Sequence, residues 1–135
     1  MGSEELNSNH TEGDALLSPF ISRIQSSDIE YSTEEHNSEA FETYNKCTYA
    51  ESKSSQIVVF PTSVEQIQEI VSTVNELNDN GASFAIYTVS SGQNWGYGSA
   101  TPTCDNAILM CLKKMTKEPQ WVSNQHDVKE PYGKT

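Results

Sequence analysis

The chain has 135 residues, the length of one domain, but a hydrophobic fraction of 35% and a mean hydropathy of −0.60 are low for a globular core. The net charge of −11 is concentrated in residues 1–60, where 11 acidic and 3 basic side chains give −8. An acidic surface of this kind repels phosphates, so we expect neither nucleic acid nor a membrane as a partner.

Cysteine and histidine usage predicts no metal site and no disulfide framework. The three cysteines are Cys47, Cys104 and Cys111. Their number is odd and they lack a CxxC spacing, so we expect reduced structural thiols. The three histidines, His10, His36 and His126, are far apart. No apolar run is long enough to span a membrane and no signal-peptide pattern is present, so a cytoplasmic protein is predicted.

The first 55 residues are mostly polar. Residues 1–12 predict a disordered acidic tail, and residues 13–55 predict an N-terminal helix followed by a polar lead-in segment. Asp14 is placed to cap the helix. The apolar stripe of this helix consists of Leu16, Leu17, Phe20, Ile21 and Ile24. Residues 25–55 are rich in Ser, Glu, Thr and Asn, which predicts a long surface segment anchored by Phe41, Tyr44 and Tyr49.

Residues 56–135 are better organised, beginning with a strand and a helix. Residues 56–60 form a short apolar run that ends at Pro61, which is typical of a buried strand. Ser63 and Gln66 then have the spacing of a capping box. The apolar face of the following helix consists of Val64, Ile67, Ile70, Val71, Val74 and Leu77. Gly81, which can adopt the left-handed conformation, is predicted to end this helix together with Asn80.

Two further apolar runs complete the predicted sheet. Residues 83–89 form a second strand, so the order strand, helix, strand predicts a βαβ unit whose two strands pair in parallel through a right-handed connection. Residues 107–112 predict a third strand, and residues 126–129 a weak final one. These elements indicate an α+β fold containing an α/β-like βαβ unit.

A glycine-rich loop, SSGQNWGYGSATP, leaves the carboxyl end of the second strand at residues 90–102. Ligands of open α/β sheets bind at this end. Three glycines allow backbone N–H groups to converge on an anion, and Ser90, Ser91 and Asn94 add side-chain donors. The loop fits neither GxGxxG nor GxxxxGK(S/T). A tight connection whose aromatic side chains only pack in the core remains an alternative.

The segment from Val59 to Met115 resembles the start of the FAD-binding domain of the vanillyl-alcohol oxidase/p-cresol methylhydroxylase (PCMH-type) flavoprotein family. That family has a strand ending in Pro and a helix like SVEQIQEIV. A second strand and a loop of the form S-x-G-(R/H/Q)-N-x-G-Y-G-x-A-x-P follow. A strand ending in LxxM matches Leu109 through Met115, and residues 44–49 resemble the usual lead-in. The resemblance implies a truncated first subdomain of this fold over residues 56–135.

The resemblance also implies which residues hold the cofactor. In this family the loop wraps the FAD pyrophosphate through backbone amides. The cofactor-binding residues implied here are Ser90, Ser91, Gly92, Gln93, Asn94, Gly96, Tyr97 and Gly98. Many relatives carry at the Gln93 position a His that attaches the flavin covalently, so non-covalent FAD is expected at this loop. No catalytic residue is assigned.

The function implied by the resemblance is that of an FAD-binding segment of an oxidoreductase acting on a small organic alcohol, phenol or related substrate. Family members are several times longer, with a second FAD subdomain and a substrate domain. We therefore expect a fragment, a truncated gene product or one half of a split protein. The alternative is a non-catalytic remnant that self-associates or binds a complementing partner through exposed apolar sheet surface. A hydrolase with Ser90 or Ser91 as nucleophile is disfavoured, because no GxSxG elbow is present.

Overall fold

The structure is a computed structural model that describes residues 11–46, 55–92 and 100–118. Its elements in chain order are α1 (Thr11–Ser26), β1 (Glu30–Ser32), α2 (Ser38–Tyr44), β2 (Ile57–Phe60), α3 (Val64–Asp79), β3 (Ala85–Val89) and β4 (Ala107–Cys111), followed by a 3-10 turn (Leu112–Lys114). The predicted α+β class is confirmed. The predicted strand at 126–129 lies outside the described residues.

The sheet is mixed, with strand order β1-β2-β4-β3. β4 pairs in parallel with both β2 and β3, whereas β1 pairs antiparallel with β2. The prediction that β2 and β3 run parallel is correct, but direct pairing of the two is wrong, because β4 lies between them. All five residues of β4 are buried, whereas only the last of the five residues of β3 is buried. A strand covered on both faces takes a central place, and a half-exposed strand takes an edge.

Helix α3 begins and ends much as its sequence predicts. The Ser63 hydroxyl accepts a hydrogen bond from the Gln66 backbone N–H at 3.2 Å. The Gln66 side chain accepts from the backbone N–H of Thr62 at 2.8 Å, one residue earlier than in a standard capping box. After the helix, Gly81 adopts φ of 102°. Both strands flanking α3 are therefore connected to it by well-defined turns.

One face of the sheet is covered by α1 and α3. The buried residues of this helical face are Phe20, Ile24, Ile29, Ile57, Val59, Ile70, Val74, Phe84, Ile108 and Met110. The predicted apolar stripes of both helices contribute to it, except that Val64 and Val71 of the α3 stripe are exposed. Arg23 on α1 joins the two helices at the surface by pairing with Glu76 at 3.0 Å and Glu69 at 3.4 Å.

The predicted surface segment after α1 contains two elements that the sequence analysis missed. Strand β1 is only three residues long, and it is held by pairing with β2. Helix α2 has seven residues and buries Tyr44. Elements this short carry no periodicity that distinguishes them from a loop, because tertiary contacts stabilise them. Helix α1 also begins earlier than predicted, at Thr11, so Asp14 lies inside the helix and not at its N-cap.

Candidate functional site

Three parallel strands end side by side at one edge of the sheet. The strand register places Val59 beside Met110 and Val89 beside Cys111, so Phe60, Cys111 and Val89 form a row. The glycine-rich loop leaves β3 at this row. Because carboxyl ends of parallel strands are where open α/β sheets bind ligands, this edge is the candidate site.

The structure describes three of the eight residues predicted to bind the cofactor. Ser90 and Ser91 are exposed at the edge, and Gly92 is half-buried. The other five are Gln93, Asn94, Gly96, Tyr97 and Gly98. These lie outside the described residues, so their roles stay predictions.

Gly92 lies directly against an aromatic ring. Its φ is 73°, in the left-handed region that favours glycine. A Cβ at this position would lie 3.0 Å from Cδ1 of Tyr44 and closer still to Cε1. Backbone conformation and space therefore both require glycine at the start of the loop.

The other end of the loop returns to the same place. Ala100, Thr101 and Pro102 are all buried. The loop-face cluster consists of Tyr44, Val58, Phe60, Val89, Ala100, Leu109 and Cys111. Because Gly92 contacts Tyr44 and Ala100 belongs to this cluster, both ends of the loop rest on one set of buried side chains.

Two polar side chains in this cluster contact each other and the loop. Cys111 Sγ lies 3.2 Å from the Tyr44 hydroxyl and 3.3 Å from the carbonyl oxygen of Ser90. A carbonyl only accepts and a thiol has one hydrogen, so the S–H donates to Ser90 and the Tyr44 hydroxyl is left to donate to sulfur. Burial raises the pKa of Tyr44 well above its ordinary value, and the bond to Cys111 adds to this.

Lysines directly after β4 bring positive charge to this edge of an acidic chain. Lys113 Nζ lies 5.6 Å from the ring centroids of both Tyr44 and Phe60. Lys114 pairs with Glu30 and lies 5.5 Å from the Phe60 ring. These lysines were not predicted from the sequence, although their position immediately after a predicted strand could have indicated them.

The N-terminus of α3 is near the same edge but is already occupied by its own side chains. A small cleft there is lined by Thr62, Ser63, Val64, Glu65, Met115 and Lys117. The pKa of Glu65 is lowered by a hydrogen bond from its own backbone N–H, then by the Ser63 hydroxyl and the charge of Lys117. The Ser63 hydroxyl and the Glu65 carboxylate already interact with N–H groups of the first helical turn, so the glycine-rich loop is the better candidate for anion binding.

Within the three described ranges, no group of three or more His, Cys, Asp or Glu side chains could hold a metal ion. Cys104 is partly buried and Cys111 buried, both with free thiols, whereas Cys47 lies outside those ranges. The one histidine they include, His36, stacks on Tyr31 with ring centroids 4.7 Å apart. No helix in the described part of the chain combines the length and apolar character needed to cross a membrane.

Comparisons with known proteins point to flavoproteins. No family model matches the chain. It is 42% identical over 59 residues to the 4-cresol dehydrogenase (hydroxylating) flavoprotein subunit of Pseudomonas putida, covering 44% of this chain and 10% of that protein. It is 35% identical over 86 residues to 1'-carboxy-chondrochloren decarboxylase of Chondromyces crocatus, covering 64% of this chain and 14% of that protein.

The fold is similar to a solved structure described as p-cresol methylhydroxylase with substrate bound. The TM-score is 0.57 and the identity 28%, over 80% of this chain and 20% of that one. The fold and the candidate site define this chain as an α+β unit that carries a loop at the carboxyl ends of parallel strands. The resemblance to the vanillyl-alcohol oxidase/p-cresol methylhydroxylase family, and to part of its PCMH-type FAD-binding domain, is confirmed. The chain spans between 10% and 20% of the length of these relatives.

Proposed function

We propose that this chain is an FAD-binding segment of a flavin-dependent oxidoreductase, and that loop 90–102 holds the FAD pyrophosphate. The observation that carries the proposal is the backbone of Gly92 at the start of the loop, which has φ of 73° and is packed in place against Tyr44. A pyrophosphate needs several N–H donors at short range, and a loop without side chains in the way can supply them from its backbone. The position of the loop beyond the strand ends supports the same assignment.

The residues at the site fit a dinucleotide better than a bare structural turn. Ser90 and Ser91 are exposed beside Gly92, so a phosphate can approach both residues from solvent. Gln93, Asn94, Gly96, Tyr97 and Gly98 would complete the set. The ammonium of Lys113 at the same edge would favour a negative ligand in a chain of net charge −11.

When bound, FAD would supply the two-electron chemistry, and this chain would bind and orient it. The similarity to the 4-cresol dehydrogenase flavoprotein subunit favours a small phenol, alcohol or related molecule as the substrate of the whole protein. Gln93 carries no imidazole to form a bond with the flavin, so attachment at this loop is non-covalent. The flavoprotein relatives favour this function over an interaction module.

The test is a titration of the full chain with FAD, followed by flavin fluorescence, with ADP and riboflavin as competitors. ADP contains the pyrophosphate without the flavin ring, and riboflavin the ring without the pyrophosphate. We expect saturable binding, displacement by ADP but not by riboflavin, and loss of binding in Gly96→Val. Release of all flavin on denaturation would be the expected sign of non-covalent attachment. No binding by a folded chain, or displacement by riboflavin alone, would contradict the proposal.

A further inference from the structure

We infer that Tyr44, on α2 between β1 and β2, is a positioning residue that fixes the conformation of residues 90–92 at the start of the glycine-rich loop. This inference rests on the proposed function for its FAD readout, but its structural part does not. Tyr44 itself faces the loop backbone and need not touch the cofactor. Its role would be to hold the first N–H groups of the loop in the directions that a pyrophosphate requires.

The steric observation is the contact between the Tyr44 ring and Gly92. The Cβ position of Gly92 overlaps the edge of the ring, so backbone and ring are packed without a gap. Gly92 also has φ of 73°, a conformation that glycine can leave readily. A glycine stays in this left-handed conformation only if a rigid neighbour holds it there, and the Tyr44 ring is that neighbour.

Hydrogen bonding attaches the same ring to the residue that begins the loop. Cys111 Sγ lies between the Tyr44 hydroxyl and the Ser90 carbonyl, at 3.2 Å and 3.3 Å. Tyr44 thus contacts Gly92 with the edge of its ring and reaches Ser90 through one sulfur atom. These two contacts restrain Ser90 and Gly92, the first and third residues of the loop.

The ring is itself held rigidly. Tyr44 is 4% exposed, and it meets Phe60 edge-on with centroids 5.9 Å apart. Its neighbour Asn45 accepts hydrogen bonds from the N–H and hydroxyl of Ser55, at 2.8 Å and 3.0 Å. Helix α2 is therefore fixed to the residues just before β2, and Tyr44 cannot move without disturbing both.

The first test replaces the ring. If the loop start is held in its binding conformation only about a tenth of the time without Tyr44, FAD affinity falls about tenfold. We expect this loss in Tyr44→Ala. Tyr44→Phe keeps the ring and loses only the hydroxyl, so it should retain affinity within about threefold of the original chain. Rescue by Phe distinguishes positioning by the ring from a polar contact with the ligand.

The matched control is Phe41→Ala on the same helix. Phe41 is partly buried against the same loop-face cluster. Its removal should lower the melting temperature, as Tyr44→Ala does, but leave FAD affinity unchanged. Equal loss of affinity in both variants, or unchanged affinity in a folded Tyr44→Ala, would overturn the inference.

A second readout does not need FAD. Trp95 follows Gly92 by three residues, and with Trp121→Phe it becomes the only tryptophan of the chain. We expect Tyr44→Ala to change the emission of Trp95 and its quenching by acrylamide, and Phe41→Ala to leave both unchanged. If the original chain fails to bind FAD, the proposed function is wrong, and this fluorescence comparison still decides the role of Tyr44. Identical quenching in all three chains would contradict that role.

If Tyr44→Ala does not fold, two glycine variants test whether the contact between Gly92 and the Tyr44 ring positions the loop start. Gly81 and Gly92 both have positive φ, but a Cβ at Gly81 would meet nothing within 4 Å, whereas one at Gly92 meets Tyr44. We expect Gly92→Ala to alter Trp95 quenching and weaken FAD, and Gly81→Ala to do neither. Equal behaviour of the two variants would contradict a specific contact between Gly92 and the ring.

Discussion

The two faces of the sheet are built differently. On the helical face, ten buried apolar residues of the described ranges, contributed by α1, α3, the strands and their connections, fill the space between helices and sheet. On the loop face, seven buried residues include Tyr44 and Cys111, whose polar atoms bond each other and a loop carbonyl. The first face therefore stabilises the fold by apolar packing, while the second also holds the start of the loop through polar contacts.

The largest effect is expected on the helical face, in Phe20→Ala. Phe20 is fully buried and packs against Phe84 with centroids 6.5 Å apart. Removing a buried phenyl ring costs about 3–5 kcal/mol of unfolding free energy. Urea denaturation followed by circular dichroism measures this loss. FAD affinity of the remaining folded chain should not change, and a selective loss of affinity would show that the two faces are not separate.

The loop face is expected to be sensitive to alkaline pH. The pKa of Tyr44 is raised in the folded chain, chiefly by burial and then by its bond to Cys111. A raised pKa means that the stabilising contribution is complete below the unfolded value of about 10 and is lost as pH rises above it. Tyr44→Phe removes this titration. Its unfolding free energy should thus fall less between about pH 9 and 11 than that of the original chain. Parallel pH curves would contradict the assignment.

The same contrast explains what could be predicted from the sequence. The helical face follows from periodicity, because residues such as Ile70 and Val74 recur at helical spacing and their burial depends only on that pattern. The central place of β4 was missed, although a run of five apolar residues already indicated burial on both faces. The contact of Gly92 with Tyr44 joins segments far apart in the chain, and no local pattern encodes it.

A smaller effect is expected from removing a buried hydroxyl group on the helical face. Thr73 on α3 is 1% exposed, and its hydroxyl has no hydrogen-bond partner in the part of the chain that the structure describes. A buried polar atom without a partner costs free energy, so Thr73→Val should raise the unfolding free energy by about 1 kcal/mol. Thr73→Ala is the control, because it removes the hydroxyl but leaves a gap. Destabilisation by Val would indicate that the hydroxyl has a partner after all.

The smallest expected effect concerns the cation above the loop face. Lys113 Nζ lies over the rings of Tyr44 and Phe60, but the side chain is exposed, and an exposed cation–π contact contributes about 0.5–1 kcal/mol. Lys113→Met keeps the aliphatic stem and removes the charge. We expect its unfolding free energy to fall by about 0.5 kcal/mol. Lys117→Met should change it less, because solvent screens the charge interaction of Lys117 with the exposed Glu65. Because Tyr44 also supports Gly92, a larger loss in Lys113→Met would mean that the ammonium helps to hold the ring in place. The loop face would then depend on charge as well as on packing.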